Sequence, residues 1–386
     1  MLRKLSLSVV VFLVATAPLF AQNQTTDKVF FIAPTTNHIW ADSFQFPSNV
    51  WTSLDVTAAI SAPAPASTSP LAALAVFEGT GNPDTDHVFF LESNGDIGEE
   101  FFNGTLWQYV NDTTSARAPV ARSNSSLSVS ATGSETGEYD VFYQGTNNHI
   151  YDINFFAGSF GVTDVTNALG GQLPAAASGT PISGLPIELF CVDVNGNLDF
   201  MKHLSGSWSG KVLGGQPFTP PAGGMTGFTN FQQTEDPDVR FVNSADDMQD
   251  FILEGSSWVE ITPLGFPARG LPFSTFPSSG PHVGEDSFYI GADSTIDEIH
   301  QVKTTFTESK PSVLAGAPSA TPSGTPAISA FLNSLGIRVY YSGPDNHIYQ
   351  IRLVDGGPYF FSDVTALAGG PLFSGAARSQ LAAILP

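Results

Sequence analysis

The feature that most constrains this chain is a phrase it repeats. "DVFYQGTNNHIYDI" at Asp140–Ile153 returns as "RVYYSGPDNHIYQI" at Arg338–Ile351, and "KVFFIAPTTNHIW" at Lys28–Trp40 is a third version. Aligning the chain on this phrase gives pairs of β-prone positions nine residues apart: Val88 and Ile97, Val141 and Ile150, Leu189 and Leu198, Val239 and Met248, Ser287 and Ile296, Val339 and Ile348. A seventh pair, Val29 and Ile39, is ten apart. The second members follow one another at steps of 58, 53, 48, 50, 48 and 52 residues. Self-similarity at this period is the signature of a solenoid, array or propeller.

Each unit reads as four short strands. The paired runs ("HVFFLES", "ELFCVDV") are rich in β-branched and aromatic residues. Between them stand Asn94-Gly95, Asn147-Asn148, Asn195-Gly196 or Asp345-Asn346, pairs suited to two-residue hairpin turns. An aromatic opens a further strand ten residues past most second positions: Trp107, Phe160, Trp208, Trp258 and Phe306. Trp51 and Tyr359 stand there after small insertions. An apolar segment such as "PLAALAVF" or "SSLSVSA" precedes the paired runs, most weakly in the sixth unit. Four strands in about fifty residues fit a propeller blade. The first unit lacks its leading segment, and the chain ends on "SQLAAILP", which resembles one. The expectation is an all-β, seven-bladed β-propeller with four-stranded blades, the C-terminal strand completing the first blade and removing exposed edges.

The remaining composition bears on context. Arg3 and Lys4 followed by "LSLSVVVFLVATAPLF" and Ala21 read as an export signal over residues 1–21. This leaves residues 22–386 as a single propeller domain, secreted or periplasmic and not inserted in a membrane. Its net charge would be 12 − 36 = −24, which opposes nucleic acid and anionic lipid. Cys191 is the single cysteine, so no internal disulfide forms; inside an apolar run it reads as a small hydrophobe.

At "IRVYYSGPDNHIYQI", with the Gly pair, aromatics and "DVT" that follow, the unit resembles the fucose-specific propeller lectins of fungi and bacteria and the wider tachylectin-like group. The resemblance implies glycan or glycoconjugate partners, no cofactor and no catalysis. It implies sugars held between blades by an Arg preceding the paired run and a Glu two past the second position, with aromatics over the apolar sugar face. The Arg position holds Lys28, His87, Asp140, Glu188, Asp238, Asp286 and Arg338. The Glu position holds Ala41, Glu99, Asp152, Phe200, Asp250, Glu298 and Gln350. No unit carries the full Arg–Glu pair. The carbohydrate contacts expected are Arg338, Tyr341, Gln350, Tyr359, Glu99, Trp107, Asp152, Asp250, Trp258, Glu298, Trp51 and Trp208, with Lys28 a weaker substitute for Arg. For the aromatics, packing of blade on blade is the competing reading, favoured by their regularity.

His38, His149 and His347 share one position, but equivalent positions lie far apart around a ring, so turn stabilisation is expected in place of a shared metal. "DVNGNLD" at Asp193–Asp199 resembles a calcium loop yet lacks its downstream Glu, and is read as a hairpin turn. No H-E-x-x-H, G-x-S-x-G, P-loop or sialidase box is present. The alternative to a lectin is a scaffold or adhesin that binds a protein, with its sugar positions eroded. The repeat leaves oligomeric state, the sugar and the number of working sites open.

Overall fold

The seven sequence units fold as seven antiparallel sheets of four strands. The computed structural model describes residues 26–46, 48–76, 85–131, 137–214, 225–230, 236–242, 248–254, 257–261, 274–278, 284–302, 305–320, 327–333, 336–353, 357–373 and 381–384. The proposed export signal lies outside the described residues.

Blade 1 is assembled from both ends of the chain: Ala382–Ile384 pairs with Thr26–Ile32, followed by Ile39–Gln45 and Val50–Asp55. The other blades each take four consecutive strands, starting at Leu71, Leu127, Ile182, Met225, Ser274 and Ile328. The weak leading segment of the sixth unit does form a strand, Ser274–Ser278. The innermost strands touch one another in order from blade 1 round to blade 7 and back to Ala382–Ile384. The ring is therefore closed by strand contacts on both sides of the C-terminal strand.

The second strands are buried because each is covered on both faces. In blade 1, Val29 and Phe31 pack toward blade 7, while Phe30 and Ile32 pack toward blade 2. Strand alternation thus supplies one hydrophobic layer to each of two interfaces. This is why the paired runs read as continuous apolar stretches.

The hairpin turns differ from the two-residue loops expected. Gly95 N–H donates to Glu92 O, and Glu92 N–H donates to Asp96 O. The same two bonds recur at Gly145, Asp193, Gly291 and Gly343. These are three-residue loops, a type I turn closed by one left-handed residue: Gly95, Asn148, Gly196, Ser294 or Asn346. The spacing of nine suits both loop types, so the sequence did not distinguish them. Blade 1, with its spacing of ten, has one residue more: Asn37 donates to Ala33 O and Ala33 to His38 O.

Short helices link several blades, at Val56–Ile60, Asp112–Ala116, Val165–Ala168, Pro311–Ala315 and Val364–Ala368. A recurring Asp/Asn-x-Thr carries this link. Asp55, Asn111, Asp164 and Asp363 cap the helix N-terminus by accepting a backbone N–H. Thr57, Thr113, Thr166 and Thr365 accept from the backbone N–H of Ile39, Ile97, Ile150 and Ile348, tying the link to its own hairpin. The three equivalent histidines serve the same device. His38, His149 and His347 each place Nδ1 2.8–2.9 Å from the capping Asp of their own blade. "DVNGNLD" is likewise a turn: Asp193 Oδ1 accepts from the N–H groups of Asn195 and Asn197, at 2.8 Å each.

Candidate functional site: the clefts between blades

The residues at the Arg and Glu positions of the repeat fall on the seams between blades, and most are engaged there by protein groups. Arg338 is buried and donates through Nε to Asp27 of blade 1 at 3.2 Å; burial lowers its pKa. Gln350 lies on the same face and donates to Tyr340 Oη at 2.7 Å. Lys28 pairs with Asp86 across the next seam. Between blades 2 and 3, Glu99 accepts from Tyr139 Oη at 2.9 Å and contacts His87, with fully buried Asp112 beside it. Asp140 and Asp152 are neighbours on blade 3, and burial pushes Asp140 up to about 7 and Asp152 well above the usual carboxylate range. Arg240 of blade 5 donates to Asp250 at 2.8 Å and reaches Ser287 and Gln301 of blade 6. Glu298 of blade 6 accepts from Tyr359 Oη of blade 7 at 2.5 Å and from Ser309 at 2.6 Å.

Among the expected contacts, the structure thus brings Glu298 to Tyr359, and Arg338 to the same face as Gln350. It sets Tyr341 on the opposite face of its strand, where Oη donates to Pro318 O at 2.7 Å. Removing a buried ion's partner strands the other charge, so Arg338→Ala is expected to cost about 3–5 kcal/mol. A denaturant titration checks this; an unchanged midpoint would refute the load assigned to the Arg338–Asp27 pair. The Asp27→Leu/Arg338→Met double variant should recover most of the loss.

The fourth-strand aromatics pack in one recurring way. Each of the four tryptophans among them stands edge-on to an aromatic of the preceding blade's second strand: Trp51 on Tyr340 (6.4 Å, 82°), Trp107 on Phe30 (6.0 Å, 80°), Trp208 on Phe142 (6.4 Å, 89°) and Trp258 on Phe190 (5.8 Å, 90°). Such contacts contribute roughly 0.5–1.5 kcal/mol each beyond the area they bury. Trp51 and Trp208 are buried, whereas Trp107 and Trp258 are half-buried.

One seam is open. Between blades 4 and 5 lies a cleft of about 250 Å³ lined by Phe200, Lys202, Ser209, Gly210, Lys211, Leu253 and Trp258. Register explains the set. Glu188, Lys202 and Ser209 stand opposite one another across three strands of blade 4. Phe190, Phe200 and Lys211 form the adjoining row two residues along. One row is polar and the next aromatic. Trp258, opposite Leu253 on blade 5, closes the far side with its ring 5.0 Å from that of Phe200. Lys202 Nζ donates to Glu188 at 2.6 Å, and its side chain keeps 28% of its surface exposed against 8% for Glu188. Relative to the Arg–Glu pattern, the acid occupies the base's position and a lysine supplies the cation from the next strand. The arrangement can place an aromatic surface against C–H groups and an ammonium and a carboxylate against hydroxyls.

Trp258 was legible as a member of this set; Lys202, Ser209, Lys211 and Leu253 were not, and Glu188 and Phe200 figured only as departures from the pattern. Phe200 and Lys202, two apart on one strand and hence on one face, are the signal available in sequence. Cys191 is buried, with its thiol pushed up by burial. Among the described residues, no group of three or more His, Cys, Asp or Glu side chains is arranged to hold a metal ion. No helix among them is long and apolar enough to cross a membrane.

Comparison with solved structures returns lectins that bind fucosides among its matches. A point variant of the Aleuria aurantia lectin in complex with α-methyl-L-fucoside superposes with a TM-score of 0.51 at 16% identity, over 75% of this chain and 91% of that one. AofleA from Arthrobotrys oligospora gives 0.54 at 12% identity, over 82% and 90%. The SapL1 lectin in complex with α-methyl fucoside gives 0.54 at 12%, over 79% and 96%. The Aleuria aurantia fold is described as six-bladed, one blade fewer than here. These likenesses establish the propeller fold. No protein-family model matches the chain, and no curated protein matches it by sequence.

Proposed function

We propose that this chain is an exported carbohydrate-binding propeller without catalytic activity, and that its principal sugar site is the cleft between blades 4 and 5. The observation that carries the reading is the half-buried Trp258 facing Phe200 beside the partly exposed Lys202–Glu188 pair, in a seam that opens into a cleft. Aromatic and hydrogen-bonding groups around a small concavity match what a sugar ring presents. At about 250 Å³ the cleft lies just below the usual range for drug-sized ligands, which suits one ring and not an extended chain. The fold shared with fucoside-binding lectins supports the class of ligand and leaves the sugar to the local chemistry. In this reading the buried groups at Arg338, Glu99, Asp250 and Glu298 hold blades together, and Asp152 is a buried acid within blade 3.

A glycan array probed with the purified protein, with and without a chelator, tests this. Saturable, chelator-insensitive binding is expected, and Trp258→Ala should lower affinity at least tenfold. Lys202→Gln, a milder change, should lower it several-fold with the melting temperature kept. A folded protein that binds no glycan would overturn the reading.

A second reading, a protein-binding scaffold, draws on Val313, Leu314 and Leu367, which are 60%, 63% and 59% exposed on the helices linking blades 6 to 7 and 7 to 1.

A further inference from the structure

We infer that the sugar taken by the blade 4–5 cleft is anionic, a glycuronate-type ring whose carboxylate is held by Lys211; this rests on the carbohydrate reading above. The chain has 14 lysines and arginines against 36 acids, yet two of those lysines line one small cleft, and no acidic side chain is among its described lining residues. Lys202 is neutralised by Glu188 at 2.6 Å. Lys211 is exposed and makes no ion pair or hydrogen bond with the described residues, so its ammonium is open to a ligand.

The rows place that charge. Lys211 stands opposite Phe200, and Ser209 opposite Lys202. Residues 209 and 211 are two apart on one strand, so both side chains project toward blade 5. A ring lying against Phe200 and Trp258 has Lys211 along one edge and Lys202, Glu188 and Ser209 along another. An ammonium donates hydrogen bonds and accepts none. A neutral sugar edge, whose hydroxyls both donate and accept, uses Lys211 no better than water does. A carboxylate, which only accepts, forms a charge-assisted bond there. The strongly negative surround disfavours an acidic ligand everywhere else on the surface, and makes this cleft the place where one is tolerated. The Glu188 carboxylate, tied to Lys202, selects against a second negative group on that edge.

The test compares methyl glucuronide with methyl glucoside by isothermal titration or by quenching of tryptophan fluorescence. The glucuronide is expected to bind about tenfold more tightly, equivalent to about 1.4 kcal/mol. Lys211→Gln should abolish the difference, bringing the glucuronide to the affinity of the glucoside, with the melting temperature kept. Raising salt to 0.5 M should erode the preference and spare glucoside binding. Equal, Trp258-dependent affinities for the two glycosides would overturn the inference and leave the carbohydrate reading standing. Acetate or inorganic sulfate competing as well as the glucuronide would also overturn it, because the ring would then contribute nothing. Binding of neither glycoside, together with a blank glycan array, would instead remove the carbohydrate reading itself.

Discussion

Acidifying the protein from pH 8 to pH 5.5 should raise its melting temperature by about 10 °C. Most small proteins hold their carboxylates ionised and lose stability in acid. Here burial outweighs every other influence on a set of acids, including Glu285 and Asp297, which lie 3.8 Å from Arg240 and 3.9 Å from Lys310. Burial pushes Asp42 up to about 7, Glu100 to about 8, Asp199 to about 7 and Asp297 to about 6. Asp140 and Glu285 rise to about 7 for the same reason. Asp42 and Glu100 are fully buried. Asp42 lies beside Ser53 where the backbone at Gly370 closes over it, and Glu100 accepts from Thr57 Oγ1 at 2.7 Å.

The sign follows from proton counts. Between about pH 4 and pH 8 the folded chain holds protons on these groups that the unfolded chain has released. Stability therefore falls as pH rises through the folded pKa values, by up to about 1.4 kcal/mol per proton per pH unit. His300, raised chiefly by its hydrogen bond with Asp286, acts in the same direction. Asp293 and Asp345, whose pKa values are lowered, lose their contribution only below the ordinary carboxylate range, outside this window. At about 1–1.5 °C per kcal/mol for a chain of this length, a 10 °C change needs most of these groups titrating together. Calorimetry at pH 5.5, 6.5, 7.5 and 8.5 checks the slope. The Asp42→Asn/Glu100→Gln variant keeps hydrogen-bonding capacity at both positions and should be more stable than the parent at pH 8 and flatter across the range. A melting temperature that climbs toward pH 8 would show these carboxyls to be solvated in the folded protein.

The contrast between fold and site shows what a repeat can disclose. Blade number, strand order and ring closure were readable because each rests on a pattern internal to one unit: alternation, a hairpin spacing, or a missing first segment answered by "SQLAAILP". The Asp-x-Thr link was also in plain view as "DVT". Its role was missed because the threonine's partner is a backbone N–H about sixteen residues away, which has no sequence signature. The turn type went wrong because one spacing serves two loop conformations, and only the φ of a single residue such as Gly95 separates them. The cleft was harder still. Glu188 and Lys202 meet through strand register, Lys211 joins them from the next strand, and Trp258 arrives from another blade. Residue types at aligned positions named the seams correctly. Whether a seam is sealed by its own side chains or left open depends on pairs between units, such as Arg338 with Asp27 or Glu298 with Tyr359, and an alignment of units does not display those pairs.

Deleting the residues from Ser379 onward should destabilise the whole ring and not merely fray one end. The strand lost is Ala382–Ile384, opposite Lys28, Val29 and Phe30 of blade 1. Its flanks contact the innermost strands of blades 2 and 7, and Ala383 N–H donates to Ser329 of blade 7 at 3.1 Å. Leu381, Ala382 and Ile384 are buried. Restoring two large aliphatic side chains to water costs about 1.5–3 kcal/mol each, and Thr26–Ile32 is left with an unpaired edge in the centre of the molecule. The loss expected is about 5 kcal/mol or more, seen as a melting temperature lower by about 6 °C or more or as failure to accumulate folded protein. Ile384→Ala gives a graded version in a chain that still folds, with an expected cost of about 2–5 kcal/mol. A synthetic peptide carrying the deleted segment should restore part of the lost stability by adding its strand to the vacated edge. An unchanged transition in the truncated protein would mean that the contacts of Ala382–Ile384 contribute nothing to holding the first and last blades together.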